Sequence, residues 1–320
     1  MTAGVVGRTG AIGRIGVIGV IANPNSRVHR RDPDHVQQLV RVLGDRGTVV
    51  QTPSIDEVRR AAERFRADGI DVLGISGGDG TIAHTLTGVL AVYGDAPLPR
   101  IAFLSAGTVN TIPRGLGLTL DGPAMLRRIL AGEVRIDRRH ILQIGDMNGF
   151  IFGSGAIAQF CEAYYETGAP SAAMSARLLA RAVGSAFVRG PFSRRLMARF
   201  KARVTVDGER WPIDDFAIVM AGTVPELGLG SRPFYRCDER PGHFALLGIH
   251  CGAAGLAVEL PRVFRGVGMD PRKVIDVVAR DAVIEADAPF QFVVDGDLIR
   301  SEGTLRVRTG PLLELLLPAA

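Results

Sequence analysis

Aromatic side chains are scarce: they form 6% of the 320 residues, with one tryptophan, Trp211. Hydrophobic residues still reach 47%. The apolar content is therefore mostly Ala, Val, Leu and Ile, as in an α/β chain with buried strands. Cysteine is scarcer. Cys161, Cys237 and Cys251 are far apart and form no CxxC. That argues against a disulfide framework or a zinc site and favours a reducing compartment. Long apolar runs are missing too: none reaches the ~18 residues needed to cross a bilayer. Ile15 to Ala22 is short and carries Gly16 and Gly19, so it reads as a buried first strand rather than a leader.

Several motifs are absent. There is no GxxxxGK[ST] loop, no GxGxxG after a strand and no GxSxG elbow. The six histidines show no metal-ligand spacing. Glycines recur at every third position from Gly4 to Gly19, but without the proline that collagen requires. Residues 1–14 read as a flexible N-terminal extension. The formal net charge of +5 is compatible with nucleotides, nucleic acid or an anionic surface.

From Ile15 the pattern alternates. Apolar strands at Ile15 to Ala22, Thr48 to Thr52, Ile70 to Ile75 and Ile101 to Leu104 are separated by helical segments at Asp34 to Leu43, Ser54 to Phe65 and Ile82 to Tyr93. Strand, loop and helix in repetition predict a parallel sheet with covering helices. Near Arg135 the character changes to short alternating segments with Asn148-Gly149, Asp207-Gly208 and Asp295-Gly296 turns, the pattern of antiparallel hairpins. One long helical segment, Ser171 to Phe200, interrupts them. The expected domains are 15–137, which is α/β, and 138–320, which is β-rich.

The strongest local signal is Gly77-Gly78-Asp79-Gly80-Thr81, after an apolar strand and before a helix. Ligands of α/β sheets bind at the carboxyl ends of strands. Glycines there permit positive φ and close backbone approach, and their N–H groups can point at phosphate oxygens beside a helix N-terminus. Asp79 would organise the phosphates or the reacting hydroxyl. The plain alternative is a tight Asp-Gly turn.

These residues resemble the GGDGT motif of the diacylglycerol, sphingosine, ceramide and NAD kinase superfamily. Asn23-Pro24-Asn25-Ser26 looks like the NPxSG opening of its lipid kinases. Gly107-Thr108-Val109-Asn110, with Arg114 and Gly117 downstream, resembles their PxGTxNDxAR segment. The NE-containing second motif of NAD kinases is not found. The resemblance implies an N-terminal Rossmann-like parallel-sheet domain and a C-terminal antiparallel β-sandwich. It also implies a lipid kinase using ATP and Mg²⁺. Asn23 and Ser26 would lie near the adenine or ribose, and Thr52 would contact the nucleotide. Gly77, Gly78, Gly80 and Thr81 would cradle the phosphates, with Gly107, Thr108 and Asn110 closing the other side. Asn23 and Ser26 could equally cap the next helix, and Thr108 and Asn110 stabilise a turn.

Val293-Val294-Asp295-Gly296-Asp297 looks like the family's DGE segment, which implies that Asp295 and Asp297 join Asp79 as catalytic carboxylates. A carboxylate base suits removal of the proton from an attacking hydroxyl. Asp297 stands at the Glu position, one methylene shorter, and the alternative is an ordinary Asp-Gly hairpin. Other departures are Ser105 for Pro, Thr111 for Asp after Asn110, Pro113 for Ala, and Pro241 where an accessory-metal Asp is usual. They suggest altered acceptor choice or reduced activity.

Arg177, Arg181, Arg189, Arg194, Arg195, Arg199, Lys201 and Arg203 follow one another with no acidic residue between them, interleaved with Leu, Val and Phe. Such a segment suits an anionic membrane surface or a solvated helix face. The expectation is a cytoplasmic lipid kinase peripheral to the inner face of the membrane, with ATP and a lipid substrate at an anionic membrane surface as partners, no nucleic acid, and a homodimer as one option for its open oligomeric state. The rival readings are a nucleotide-binding regulatory or membrane-sensing protein without turnover, and a soluble-substrate kinase related to NAD kinase.

Overall fold

A computed structural model describes residues 15–32, 34–107, 110–168, 171–188 and 190–319. Thr108 and Arg189, and the expected extension 1–14, lie outside the described residues. The chain divides into two compact units. One comprises Met1–Gly107, Gly117–Arg139 and Leu312–Ala320, the other Thr108–Leu116 and His140–Pro311.

The first unit is the parallel α/β body. Its elements begin β1 (Ile18–Ala22), α1 (Arg27–Arg31), α2 (Asp34–Leu43), β2 (Gly47–Gln51), α3 (Ile55–Asp68), β3 (Val72–Gly77), α4 (Asp79–Tyr93) and β4 (Arg100–Ser105). The short α5 (Thr111–Gly115) belongs to the second unit, and α6 (Gly122–Ala131) returns to the first. Strands lie in the order β2-β1-β3-β4, all parallel. The chain thus winds outward on both sides of β1, and the strand order reverses between β1 and β3, where open α/β sheets bind ligands. Every residue of β1 and β3 is buried, as their apolar runs require. Local signals set the helices. Ser54 accepts from the Glu57 N–H while its hydroxyl donates to the Glu57 carboxylate, a capping box that starts α3. Gly69, at φ 64°, ends it.

Strand β5 (Val134–Ile144) leads into the second unit. There follow β6 (Met147–Gly149), β7 (Ile151–Ser154), α7 (Ala156–Glu166), α8 (Ala172–Phe187), α9 (Pro191–Leu196), β8 (Phe200–Val206), β9 (Glu209–Arg210), β10 (Asp215–Phe216), β11 (Ile218–Gly222) and β12 (Phe244–Ile249). Then come α10 (Ala253–Arg265), β13 (Val274–Ala279), β14 (Asp281–Ala286), β15 (Phe290–Val294), β16 (Asp297–Ser301) and β17 (Thr304–Pro318). Two antiparallel sheets result. In one, β8 and β17 flank β14, and β10 pairs with β8; the other runs β13-β12-β11-β7-β15-β16. Phe200 of the first stacks on Phe290 of the second at 5.8 Å, and a Cβ on Gly248 of β12 would strike Trp211. Trp211 is a packing residue between sheets.

The structure corrects four expectations. The helical stretch Ser171 to Phe200 is two helices, because Gly190-Pro191 breaks it and Phe200 already begins a strand. Helices α7 and α10 were not foreseen. The turn expected at Asn148-Gly149 falls instead at Gly145-Asp146, with Gly145 at φ 54°. The last residues are not part of the second domain: β17 passes into the first unit, where Leu315 pairs in parallel with Ile101 of β4.

Candidate active site

In the first unit, the predicted residues of the three strand ends converge. The β1 turn is tied to the β3 turn at several points. The Asn23 N–H donates to the Ser76 carbonyl at 3.0 Å. The Asn23 amide Nδ2 donates to the Thr81 hydroxyl at 2.9 Å, and its Oδ1 accepts from the Asn25 N–H. Both ends of the Asn23 side chain are therefore engaged within the protein. That makes it a clamp across the switch point rather than a free nucleotide ligand. Thr81 accepts from Asn23, so its own O–H remains available as a donor.

The β3 turn is built for close approach rather than for unusual dihedrals. Gly78 caps α4 at φ −98°, with no side-chain cap bond, and Asp79 already lies in the first helical turn. Positive φ, expected for these glycines, is not what Gly78 supplies. A Cβ on Gly77 would sit 2.5 Å from the Thr81 side chain, and one on Gly78 would sit 3.2 Å from the Gly107 Cα. Two main-chain segments thus pass one another at the amino end of a 15-residue helix, whose dipole favours an anion. The Ala106 N–H donates to the Gly77 carbonyl at 2.9 Å, and the Val28 N–H to the Ala106 carbonyl at 3.3 Å, binding all three turns together.

Ser26 occupies the N-cap position of α1, yet its side chain makes no cap bond. It is 8% exposed, and its hydroxyl has no hydrogen-bond partner among the described residues. A buried hydroxyl without a partner is costly unless a ligand or water satisfies it. Ser105, at the end of β4, likewise buries an unsatisfied hydroxyl. Thr52 is buried just beyond β2, its N–H donating to the Ala22 carbonyl. An anionic polar ligand fits this set. For magnesium, no group of three or more His, Cys, Asp or Glu is placed to hold an ion among the described residues.

Sequence reasoning missed His29. The imidazole is buried beneath these turns, its Nδ1 donating to the Asn23 carbonyl at 2.6 Å while Nε2 lies 3.1 Å from the Ser76 hydroxyl. Burial lowers its pKa, and the His35 ring at 5.3 Å adds to the effect. Its place three residues after Ser26 was the only available signal.

The third motif straddles the unit boundary. Gly107 ends one segment of the first unit, and Asn110 precedes α5 in the second with a left-handed backbone, φ 51°. In the second unit, Asp295-Gly296 forms the two-residue turn between β15 and β16, both residues at positive φ. The Asp295 carboxylate is 4% exposed and accepts from the Phe150 and Ile151 N–H groups at 3.1 and 2.8 Å. Gly149 lacks a Cβ where one would lie 2.7 Å from that carboxylate. Asp295 therefore holds the β6–β7 turn against the hairpin, and catalysis is not assigned to it. Asp297 is half-buried at the start of β16. Burial, with the Asp297 charge adding to it, pushes the Cys161 thiol up to about 11.

The comparisons with known proteins agree with this geometry. Residues 17–137 match the diacylglycerol kinase catalytic domain model. This segment is similar to a diacylglycerol kinase catalytic domain. A diacylglycerol kinase of Staphylococcus aureus (strain MRSA252) is 29% identical over 154 residues, covering 46% of this chain and 45% of the relative. The match thus spans about half the length of this curated relative. A putative diacylglycerol kinase from Bacillus anthracis str. Sterne superposes with a TM-score of 0.69 at 17% identity, covering 95% of this chain and 96% of its own. A second Bacillus anthracis diacylglycerol kinase structure gives 0.66 at 15%, covering 95% and 97%. The likeness to both structures is one of fold, and it extends the diacylglycerol kinase-like architecture across both units.

Proposed function

We propose that the chain is an ATP-dependent lipid kinase, transferring the γ-phosphate to the hydroxyl of a membrane lipid of diacylglycerol or ceramide/sphingoid type. The observation that carries this reading is the Gly77–Gly78 turn pressed against Gly107 at the amino end of α4, with the Ser26 hydroxyl buried and, among the described residues, unpartnered in the same unit. The α4 amides and the Thr81 hydroxyl would hold phosphate oxygens. Asp297 would take the proton of the acceptor hydroxyl as its oxygen bonds to the γ-phosphorus and ADP leaves with the former bridging oxygen. Magnesium, when bound, neutralises charge on the phosphates. Positioning and electrostatics supply most of the rate in such transfers.

The acceptor would be drawn from the cytoplasmic membrane face by a peripherally bound enzyme. No helix among the described residues is long and apolar enough to cross a membrane. The test is transfer of labelled phosphate from ATP, with Mg²⁺, to a total lipid extract. A labelled lipid supports the proposal. Nucleotide binding without transfer to any acceptor overturns it in favour of a regulatory protein, and labelled NADP would identify a soluble-substrate kinase.

A further inference from the structure

The outer faces of two adjoining helices in the second unit have an unusual composition. Helix α8 buries Ser175, Leu178 and Ala186 and packs on α9 and α10. Its exposed positions hold alanines at 172, 173, 176 and 180, Gly184, Phe187, and two polar side chains, Arg177 and Arg181. Phe187 is 62% exposed, and Val188, just beyond the helix, is 78% exposed. Helix α10 repeats the pattern. Its exposed residues are Ala254, Val258, Pro261, Arg262, Phe264 and Arg265, with Val258 at 61%. Its lone carboxylate, Glu259, is 4% exposed and paired with Lys273 Nζ at 2.6 Å. A solvated helix would carry polar residues of both signs on these positions. Here every exposed side chain is either apolar or cationic.

We infer that the exposed faces of α8 and α10 are a docking surface for an anionic lipid bilayer, with Phe187, Val188 and Val258 entering the headgroup zone and Arg177, Arg181 and Arg265 meeting lipid phosphates. Charge selects this occupant. Between Glu166 and Asp207 the chain carries no acidic residue. A second copy docking through the same surface would bring arginine against arginine, since a twofold interface apposes identical patches. Some cations of the stretch serve the fold instead. Arg195 pairs with Glu162 and Glu166, Arg199 with Asp215, and Arg203 with Glu285. The docking set is thereby narrowed to the helix faces. Amphipathic faces of this kind bind through buried apolar area plus attraction to anionic headgroups.

The surface deepens the lipid-kinase reading, and its test separates the two. The full chain is sedimented with vesicles of phosphatidylcholine alone or with about one third phosphatidylglycerol, and its activity is measured on a short-chain, micelle-dispersed lipid alcohol. Expected are binding to anionic vesicles at least about tenfold tighter than to neutral ones, weakening with salt, and a further loss of about tenfold in both Arg177→Gln/Arg181→Gln and Phe187→Ser/Val258→Ser. Activity on the dispersed acceptor should stay at the wild-type level in both variants. Equal binding to neutral and anionic vesicles, or variants that bind like wild type, would overturn the inference, as would a dimer that buries this face. Transfer to the dispersed acceptor without vesicle binding sinks the docking surface alone. Vesicle binding without transfer to any acceptor sinks the kinase reading alone.

Discussion

His29 and Ser76 meet beneath the Gly77–Gly78 turn, the imidazole Nε2 lying 3.1 Å from the seryl hydroxyl. Because Nδ1 must donate to the Asn23 carbonyl, Nε2 of the neutral ring is an acceptor and the Ser76 hydroxyl is its donor. One ring therefore spaces the β1 turn from the β3 turn. Its pKa is lowered, chiefly by burial. The unfolded chain, with His near ~6.5, then binds more protons than the folded one. The stability that neutral His29 contributes is complete above that value and is lost as pH falls toward the depressed folded pKa. Asp32 opposes the shift and His35 reinforces it. The expected outcome is a melting temperature that drops below about pH 6.5 more steeply in wild type than in His29→Asn, which keeps the Nδ1-type donor. Calorimetry across pH 5 to 8 would show it, and identical slopes would remove His29 as the cause.

The Asn23–Thr81 clamp should be measurable as a coupling. Asn23→Ala and Thr81→Val each remove the same hydrogen bond, worth about 1 kcal/mol. The double variant should therefore be less destabilised than the sum of the singles. Thr81→Val should in addition weaken ADP binding beyond Asn23→Ala, because it alone deletes the hydroxyl donor. Denaturant melts and calorimetric titration with ADP and Mg²⁺ would separate the two effects.

Gly77 and Gly78 should fail differently. Gly77→Ala forces a methyl into Thr81, so a stability loss of about 1–3 kcal/mol is expected. Gly78→Ala meets Gly107 at 3.2 Å, a contact that a small backbone adjustment relieves. Its expected signature is a near-normal melting temperature with nucleotide affinity reduced at least about tenfold, if the close approach of these segments shapes the phosphate site.

The two hairpin carboxylates should part company. Asp295→Asn retains shape but loses charge-assisted bonds from two amides, so a destabilisation of about 1.5–3 kcal/mol is expected. Asp297→Asn should leave the melting temperature within about 1 °C and lower phosphate transfer by about 10² or more, in line with loss of a general base. Full activity in Asp297→Asn would remove it from the chemistry.

Cys161 offers a reporter for the same place. With its thiol raised to about 11, only about one part in a thousand is thiolate at pH 8. Alkylation of Cys161 by iodoacetamide should be slow at that pH. It should quicken modestly in Asp297→Asn, because the charge that adds to burial in raising the thiol is gone.

Much of the first unit was legible in the sequence because its signals are local. The buried runs of β1 and β3, the Ser54–Glu57 capping box and the glycine cluster after Ile75 each fix one element without outside help. The Asp207-Gly208 and Asp295-Gly296 turns were legible for the same reason: both pairs take positive φ. What escaped depends on distant partners. Gly149 is glycine because of a carboxylate from another hairpin, not because of a turn. Helix α10 carries Pro261 in its interior and apolar residues on its outside, so neither propensity nor periodicity marks it. His29 acquires its importance only when β1 and β3 are neighbours.

Strand β17 gives the chain an order of assembly. Leu313, Leu315, Leu316 and Leu317 are buried, and through Leu315 the strand pairs with β4, one of four parallel strands that all precede residue 106. While the polypeptide is being made, the β4 edge must wait for some two hundred further residues before its neighbour emerges from the ribosome. During that interval an apolar, unpaired strand margin is open to other chains. Deleting the final leucines should therefore show itself first as misassembly during synthesis, well before any loss of phosphate chemistry.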